Sequence, residues 1–358
     1  MDPEKEFPIQ RVIDEDGNLV GDRSGVTDEE LLRFYRSLVT LRALDQRAWN
    51  LQRQGRIGTY PPYSGQEATQ VGVVAALGPE DWICGSYRDW AALVYRGVPM
   101  SFPLLNSMGH PISGRMPEAV PALPVQVVIA AQTLHAVGLA WAEKLQGQNR
   151  LAVTFFGDGA TSQGDFHEAL NLASVVQAPV LFVSQNNRWA ISVPVSRQMH
   201  SPTIAQRAIA YNIEGVRVDG NDIIAVYQTA RQLAARIRAG GGPALVEAVT
   251  YRLGAHTTAD DPTRYRATEE EERLSYGEPV ARLARFLERQ KLIDDDAKHQ
   301  IEEEAKAEVE KAVQEAESYP KAPPETVFDH VYGELTPALS AQRQAFMRRL
   351  AEGGGARG

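Results

Sequence analysis

The sequence predicts an α/β fold, a layered parallel sheet flanked by helices, on three observations. From about Thr59 to Thr250, short apolar runs alternate with segments whose apolar residues recur every three or four positions. The segments between the runs are long enough for a helical crossover, which means parallel pairing of the strands they join. No internal repeat interrupts the alternation across the 358 residues, a length that suits one large domain or two modest ones.

Taken in order, residues 1 to 26 read as irregular, with a turn at Asp16-Gly17. Thr27 and Glu30 have capping-box spacing and open a helix whose apolar face is Leu31, Phe34, Leu38, Leu41 and Leu44, ended by Gly55. Gly65 to Leu77 reads as a helix closed by Gly78-Pro79. DWIC is a short strand that runs into the turn and helix of GSYRDWAALVYRG, and Thr133 to Gln146 is helical. LAVTFF is a strand, Gln163 to Val176 a helix and PVLFVSQ a strand. Val216 to Val218, Ile223 to Arg238 and Ala244 to Thr250 continue the series. Two long stretches lack periodicity: the Pro-rich Ser107 to Pro124 and the polar Gly254 to Glu272. Loops of that length inside a domain are usually functional or mobile. After Pro279 the chain turns helical and charged, with Ile301, Ala305, Val309 and Val313 forming one narrow stripe that suits a docking helix or a solvated face rather than a site. The expected organisation is an N-terminal arm and helix (1–58), an α/β domain (59–275) and a C-terminal helical extension (276–358).

Bulk properties exclude several classes. The formal net charge is -9 with no block of Lys and Arg, so no footprint for nucleic acid or an anionic membrane is present. A single cysteine, Cys84, rules out an intrachain disulfide framework, and with seven scattered histidines no zinc spacing occurs. MDPEKEFPIQ has neither an apolar signal core nor the look of a transit peptide, and no apolar run approaches the roughly 20 residues of a membrane span. The expectation is a protein of the bacterial or archaeal cytoplasm.

The segment GDGATSQGDFHEALNLASVVQAPVLFVSQNN, 157 to 187, carries the chemistry. Its helix packs through Phe166, Ala169, Leu170 and Ala173, so Asp158 and Asn187 end two strands joined by one crossover. At the carboxyl ends of parallel strands ligands collect. One carboxylate and one amide oxygen are a poor all-protein cage but a good half-site for Mg²⁺, which takes its other ligands from water and phosphate oxygens. The flanking glycines allow backbone N–H groups to approach phosphate at a helix start. The pair reads as a Mg-diphosphate clamp. GDGATSQG is wrong for a dinucleotide fingerprint, because the third glycine falls five residues after the second.

GDG followed after 26 residues by NN resembles the thiamine diphosphate motif. The chain from Thr27 to Leu335 resembles the alpha subunit of the decarboxylating first component of 2-oxo acid dehydrogenase complexes. The likeness extends through SGQEA (64–68), SYRD (86–89), GRMPE (114–118), QNNRWAIS (185–192), VDGND (218–222) and YRLGAHTTADDPTRYR (251–266). The resemblance implies the thiamine diphosphate-binding fold. It also implies Mg²⁺ held by Asp158, Asn187 and the Trp189 carbonyl, and diphosphate faced by the backbone of Gly159 and Ala160 and by Tyr87 and Arg88. Ile129 would be the wedge that bends the cofactor, and His256 would reach the cofactor and its reaction partners as the catalytic histidine. Thr257 stands where mitochondrial relatives carry a regulatory serine, and the sequence gives no signal for its phosphorylation.

The resemblance further implies oxidative decarboxylation of a 2-oxo acid, with the cofactor as electron sink and the acyl group passed to a lipoyl arm on the acyltransferase core. Relatives of this architecture take the glutamate that activates the cofactor from a separate beta subunit. The expected assembly is therefore an α₂β₂ heterotetramer with the cofactor between subunits. The loop 254–272 would order when cofactor binds. VVIAAQ (127–132) lacks the hydroxyls of branched-chain relatives, and RMPEAVPALP and QNNRWAIS resemble pyruvate-type ones, whereas HSPTIA (200–205) resembles branched-chain ones. Pyruvate is the preferred substrate and 2-oxoisovalerate the alternative. Two other readings of the same residues are a nicotinamide-dependent oxidoreductase and a non-catalytic scaffold using the acidic C-terminal helices.

Overall fold

A computed structural model describes residues 3–329 and 331–352. In chain order its elements begin with α1 (Pro3–Glu6), β1 (Ile9–Gln10), α2 (Asp28–Arg53), α3 (Glu67–Ala75), β2 (Trp82–Cys84), α4 (Trp90–Arg96), α5 (Ser101–Ser107) and α6 (Ala131–Leu145). There follow β3 (Ala152–Gly157), α7 (Gly164–Val176), β4 (Val180–Asn186), β5 (Trp189–Ala190), β6 (Val193–Pro194), α8 (Val195–Gln198), β7 (Glu214–Asp219), α9 (Ile223–Arg236) and β8 (Ala244–Val249). The C-terminal part holds α10 (Thr268–Ser275), α11 (Pro279–Arg289), α12 (Asp295–Ser318), α13 (Thr326–Asp329) and α14 (Pro337–Ala351).

Six strands form one sheet in the order β1-β7-β8-β4-β3-β2, every pair parallel. Alternation of side chains along each strand builds a core on each face. Val153, Phe155, Leu181 and Val183 pack with α2, α3, α9 and α11, while Ala152, Phe156, Val180 and Phe182 pack with α6 and α7. The sheet is thus covered on both faces, and ligands can reach it only at an edge. No helix among the described residues is long and apolar enough to cross a membrane.

Helix α2 starts as the sequence predicts. Glu30 N–H donates to Thr27 Oγ1 at 3.2 Å, and Thr27 N–H donates to Glu30 Oε2 at 2.9 Å. The stripe of α12 is buried against α2 and α5, so it is a docking helix. Arg36–Glu304 at 2.9 Å and Arg47–Glu310 at 2.5 Å flank that contact. Being largely exposed, they add little beyond register.

Three stretches depart from expectation. Residues 1–26 are not wholly irregular, since α1 is helical and β1 extends the sheet as an edge strand beside β7. Two residues are too few to leave an alternating pattern. What holds this arm is Asp222, whose Oδ2 accepts the N–H groups of Val12 and Ile13 at 2.6 and 2.7 Å while Oδ1 caps α9. Within Ser107 to Pro124, Pro111–Gly114 is a 3₁₀ turn, and the chain then runs along the open edge of β2. Ile83 N–H donates to Pro121 O at 2.9 Å and Leu123 N–H to Ile83 O at 3.0 Å, which carries the following residues to the sheet's carboxyl edge. Within Gly254 to Glu272, Asp261 caps a 3₁₀ turn at Pro262–Arg264 and α10 begins at Thr268.

Asp222→Ala strips four buried N–H groups of their acceptor. It is expected to cost about 2–4 kcal/mol, read as a lowered urea midpoint with an unchanged slope.

Candidate active site

Register places the site. Gly157 of β3 lies opposite Gln185 of β4, so Asp158 and Asn187 leave the sheet as neighbouring strand tips on the same edge. A cavity of about 690 Å³ opens there, and all nine residues predicted for the site line it: Tyr87, Arg88, Ile129, Asp158, Gly159, Ala160, Asn187, Trp189 and His256. They come from the turn after β2, the approach to α6, the tip of β3, the β4–β5 turn and the segment after β8. A second cavity, of about 720 Å³, lies behind the His256 segment against Trp49 of α2, and none of the nine lines it.

Asp158 is 2 % exposed, and its Oδ2 has no hydrogen-bond partner among the described residues. Burial pushes its carboxyl up to about 7, although Arg252 and Arg88 pull the other way. Such a carboxylate suits a cation that the protein does not itself provide. Ala190 of the β5–β6 hairpin lies so near Gly159 that a Cβ there would stand 3.0 Å from the alanine's own, tight enough to push the hairpin back by a few tenths of an ångström.

The doubled asparagine splits its work. Asn186 turns away from the cavity and donates from Nδ2 to Glu247 Oε1 at 2.7 Å. Asn187 lines the cavity; its Oδ1 accepts Trp189 N–H at 3.2 Å and its Nδ2 donates to Gln66 Oε1 at 2.8 Å. Between them and the hairpin, Arg188 has φ 72° and Ile191 φ 55°, and across the cavity Ala130 has φ 73°. Left-handed backbone at non-glycine residues costs roughly 1–3 kcal/mol each and gathers where function over-determines the fold. Here it turns the hairpin over Gly159 and delivers Ile129 to the cavity wall.

Arg88 does not stand free. It donates to Pro62 O, to His256 O at 2.9 Å and to His256 Nδ1 at 3.0 Å, with its guanidinium 5.4 Å from the Tyr87 ring centre. Since guanidinium can only donate, Nδ1 must accept, and the neutral imidazole carries its proton on Nε2. Burial, together with the nearby charges of Arg88 and Arg252, lowers the His256 pKa to about 3. Tyr87 meets the same ring edge-on at 6.1 Å. The imidazole is thus a neutral N–H donor across the physiological range, available to a developing oxyanion but not as an imidazolium acid.

Several cavity residues carried no role in the sequence reading. Gln185 donates to Asp89 Oδ1 at 2.6 Å and accepts from Gln70, which also donates to Arg88 O at 3.1 Å, tying β4 to the Tyr87-Arg88 turn. Arg252, fully buried, donates to Trp189 O at 3.2 Å, Ile191 O at 2.9 Å and Tyr265 Oη at 3.0 Å, so it clamps the hairpin to the His256 segment. Gln66 sits in SGQEA, singled out only as part of the resemblance. No periodicity distinguishes a glutamine aimed at a cavity from one at the surface.

A doubly covered parallel sheet with a cavity at its carboxyl edge, walled by a buried carboxylate, an asparagine, an arginine and a neutral histidine, has the build of an α/β enzyme. The chain belongs to the dehydrogenase E1 component family, whose model matches residues 35–325. It is 40% identical over 351 residues to a Staphylococcus aureus protein named pyruvate dehydrogenase E1 component subunit alpha, spanning 97% of this chain and 95% of that one. A Staphylococcus epidermidis protein of the same name is 40% identical over 349 residues, spanning 97% and 94%.

With its pKa held below the unfolded value near 6.5, folded His256 resists protonation, so stability is full above about 6.5 and is lost as pH falls towards 3. Imidazole NMR is expected to find His256 neutral down to pH 5, and Arg88→Ala to raise its titration point towards the ordinary histidine range.

Proposed function

We propose that this chain is the alpha subunit of a pyruvate dehydrogenase that uses thiamine diphosphate and Mg²⁺ and works with a beta subunit and a lipoyl-bearing acyltransferase core. The observation that carries the reading is the pairing of Asp158 and Asn187 at adjacent strand tips over one cavity. The relatives' names carry pyruvate. The donor set fits the metal: one carboxylate with an orphaned buried oxygen and one amide oxygen, with the Trp189 carbonyl, which here accepts from Arg252, to be shared, and the rest left to water and phosphate.

Bound thiamine diphosphate supplies the electron sink on which a 2-oxo acid loses its carboxylate as CO₂. The chain's own groups bind and orient. Asp158, Asn187 and the Trp189 carbonyl would hold Mg²⁺, and the backbone at Gly159 and Ala160, with Tyr87 and Arg88, would face the diphosphate. Ile129 would press the cofactor into its bent form. His256, held neutral, would direct its Nε2–H at the reacting centre. Arg88 would face a phosphate with donors it does not spend on Pro62 and the His256 segment, so the same side chain would link filling of the cavity to the placement of residues 254–272.

A beta subunit is supported by the cavity's surroundings. The rim is apolar and open, with Val127 73 % and Val128 68 % exposed and Ile129, Ile191 and Val193 beside them. The only carboxylates among the described residues on its wall are Asp89, already engaged by Ser86 N–H and Gln185, and Asp158. The glutamate that activates the cofactor would therefore come from the partner, in an α₂β₂ arrangement of the bacterial cytoplasm. A branched-chain 2-oxo acid is the second reading. The segment 200–205 that favoured it lines no part of the cavity; Ile204 and Ala205 donate to Glu247 instead, at 2.9 and 3.0 Å.

Co-expression with a candidate beta subunit is expected to give pyruvate turnover with an artificial electron acceptor that needs both chains, thiamine diphosphate and Mg²⁺. Faster turnover of 2-oxoisovalerate would move the assignment to the second reading, and turnover without thiamine diphosphate would end it. Asp158→Ala should abolish Mg²⁺-dependent cofactor retention with a circular dichroism spectrum close to wild type.

A further inference from the structure

Asparagine presents an oxygen or an NH₂ at nearly the same place, so a metal site that depends on one amide needs something to choose between them. Two contacts make the choice here. Trp189 N–H points at Asn187 Oδ1 from 3.2 Å, and a flipped amide would set donor against donor. Asn187 Nδ2 then needs an acceptor, and Gln66 Oε1 supplies it at 2.8 Å. Gln66 is 1 % exposed, lines the cavity and keeps its own Nε2 buried with no partner among the described residues. It therefore accepts from Asn187 at the expense of its own donors, an arrangement stable only if the acceptor role is required or a ligand oxygen completes it.

The backbone beside Gln66 is held from three sides. Gly65 N–H donates to Glu67 Oε2 at 2.7 Å, while Glu67 Oε1 is paired with Arg42 at 2.5 Å. Thr250 Oγ1 donates to Gly65 O at 2.6 Å, and Ser64 N–H donates to Asp45 Oδ2 at 3.0 Å. Gly65 itself has φ +97°, and a Cβ there would fall 2.2 Å from Tyr251 O. The SGQEA turn is thus a rigid platform that ends in one cavity-lining amide.

We infer that Gln66 is a positioning residue for the metal half-site: its Oε1 locks the Asn187 amide with the carbonyl oxygen left for the cation. The inference rests on the Mg-diphosphate reading of Asp158 and Asn187 and adds a residue to it. Partners of this kind, which orient a ligand without touching the metal, are worth 10–100-fold in metal affinity.

The test is Mn²⁺ binding to the full-length chain co-purified with its beta subunit, in the presence of thiamine diphosphate, followed by EPR of free Mn²⁺. Gln66→Met keeps length and removes the hydrogen bond to Asn187; Gln66→Glu keeps an acceptor for Asn187. The expected result is about a tenfold or greater loss of Mn²⁺ affinity in Gln66→Met, with Gln66→Glu within about threefold of wild type and both variants retaining the wild-type far-ultraviolet dichroism. Wild-type affinity in a folded Gln66→Met overturns the assignment, as does an equal loss in both variants, which would mean a packing role. If Gln66→Met does not fold, Gln66→Leu, which likewise offers Asn187 no acceptor, takes its place under the same criterion. Absence of thiamine-dependent Mn²⁺ binding in the wild type would remove the metal reading itself and the Gln66 role with it, whereas tight wild-type binding lost in Asp158→Ala keeps the former and leaves only the latter at stake.

Discussion

A carboxylate buried without a protein cation is the constraint around which this edge of the sheet is organised. Asp158 sits at the end of β3, sealed from solvent, with one oxygen unpaired. Other buried acids among the described residues are answered more fully. Asp222 collects four backbone N–H groups, Glu67 has Arg42, Glu247 has Asn186 and two N–H groups, and Asp219 lies 2.8 Å from Arg282. A desolvated anion costs several kcal/mol unless something compensates it, and the cavity in front of Asp158 is where that compensation must enter.

Everything nearby then serves orientation. The parallel register of β3 and β4 sets Asp158 beside Asn187. Trp189 N–H and Gln66 set which end of the Asn187 amide faces inward. Arg252 ties the hairpin to the segment that carries His256, and Arg88 ties that segment to the turn after β2. Few of these contacts are individually strong. Together they hold the groups on rigid elements, which a site of this kind requires.

The fold was legible because its signals are periodic. The alternation of strand and helix from Thr59 to Thr250, the face Phe166-Ala169-Leu170-Ala173 and the stripe of α12 all depend on repeats of 2 or 3.6 residues, and each element lies where the pattern puts it. The features that escaped have no period. β1 is two residues long and is held by a side chain more than two hundred positions away. The edge strand-like run near Ala122 is hidden among prolines, which suit an edge but read as a break. At the site, the nine predicted residues converge on one cavity because strand ends and family motifs could be read directly. The supporting glutamines and Arg252 could not, since a polar side chain gains its role from what it meets across the fold. Likewise NN looks symmetrical in sequence; only the register decides that Asn187 faces the cavity and Asn186 the interior.

The claim that neighbouring strand tips share one divalent cation is tested most directly by a crystal structure of the assembled enzyme with Mn²⁺ and thiamine diphosphate. The account predicts one anomalous peak at about 2.0–2.3 Å from both an Asp158 carboxylate oxygen and Asn187 Oδ1, with diphosphate oxygens completing the shell. A cation bound elsewhere, or a diphosphate lying across the cavity with Asp158 and Asn187 untouched, would contradict it.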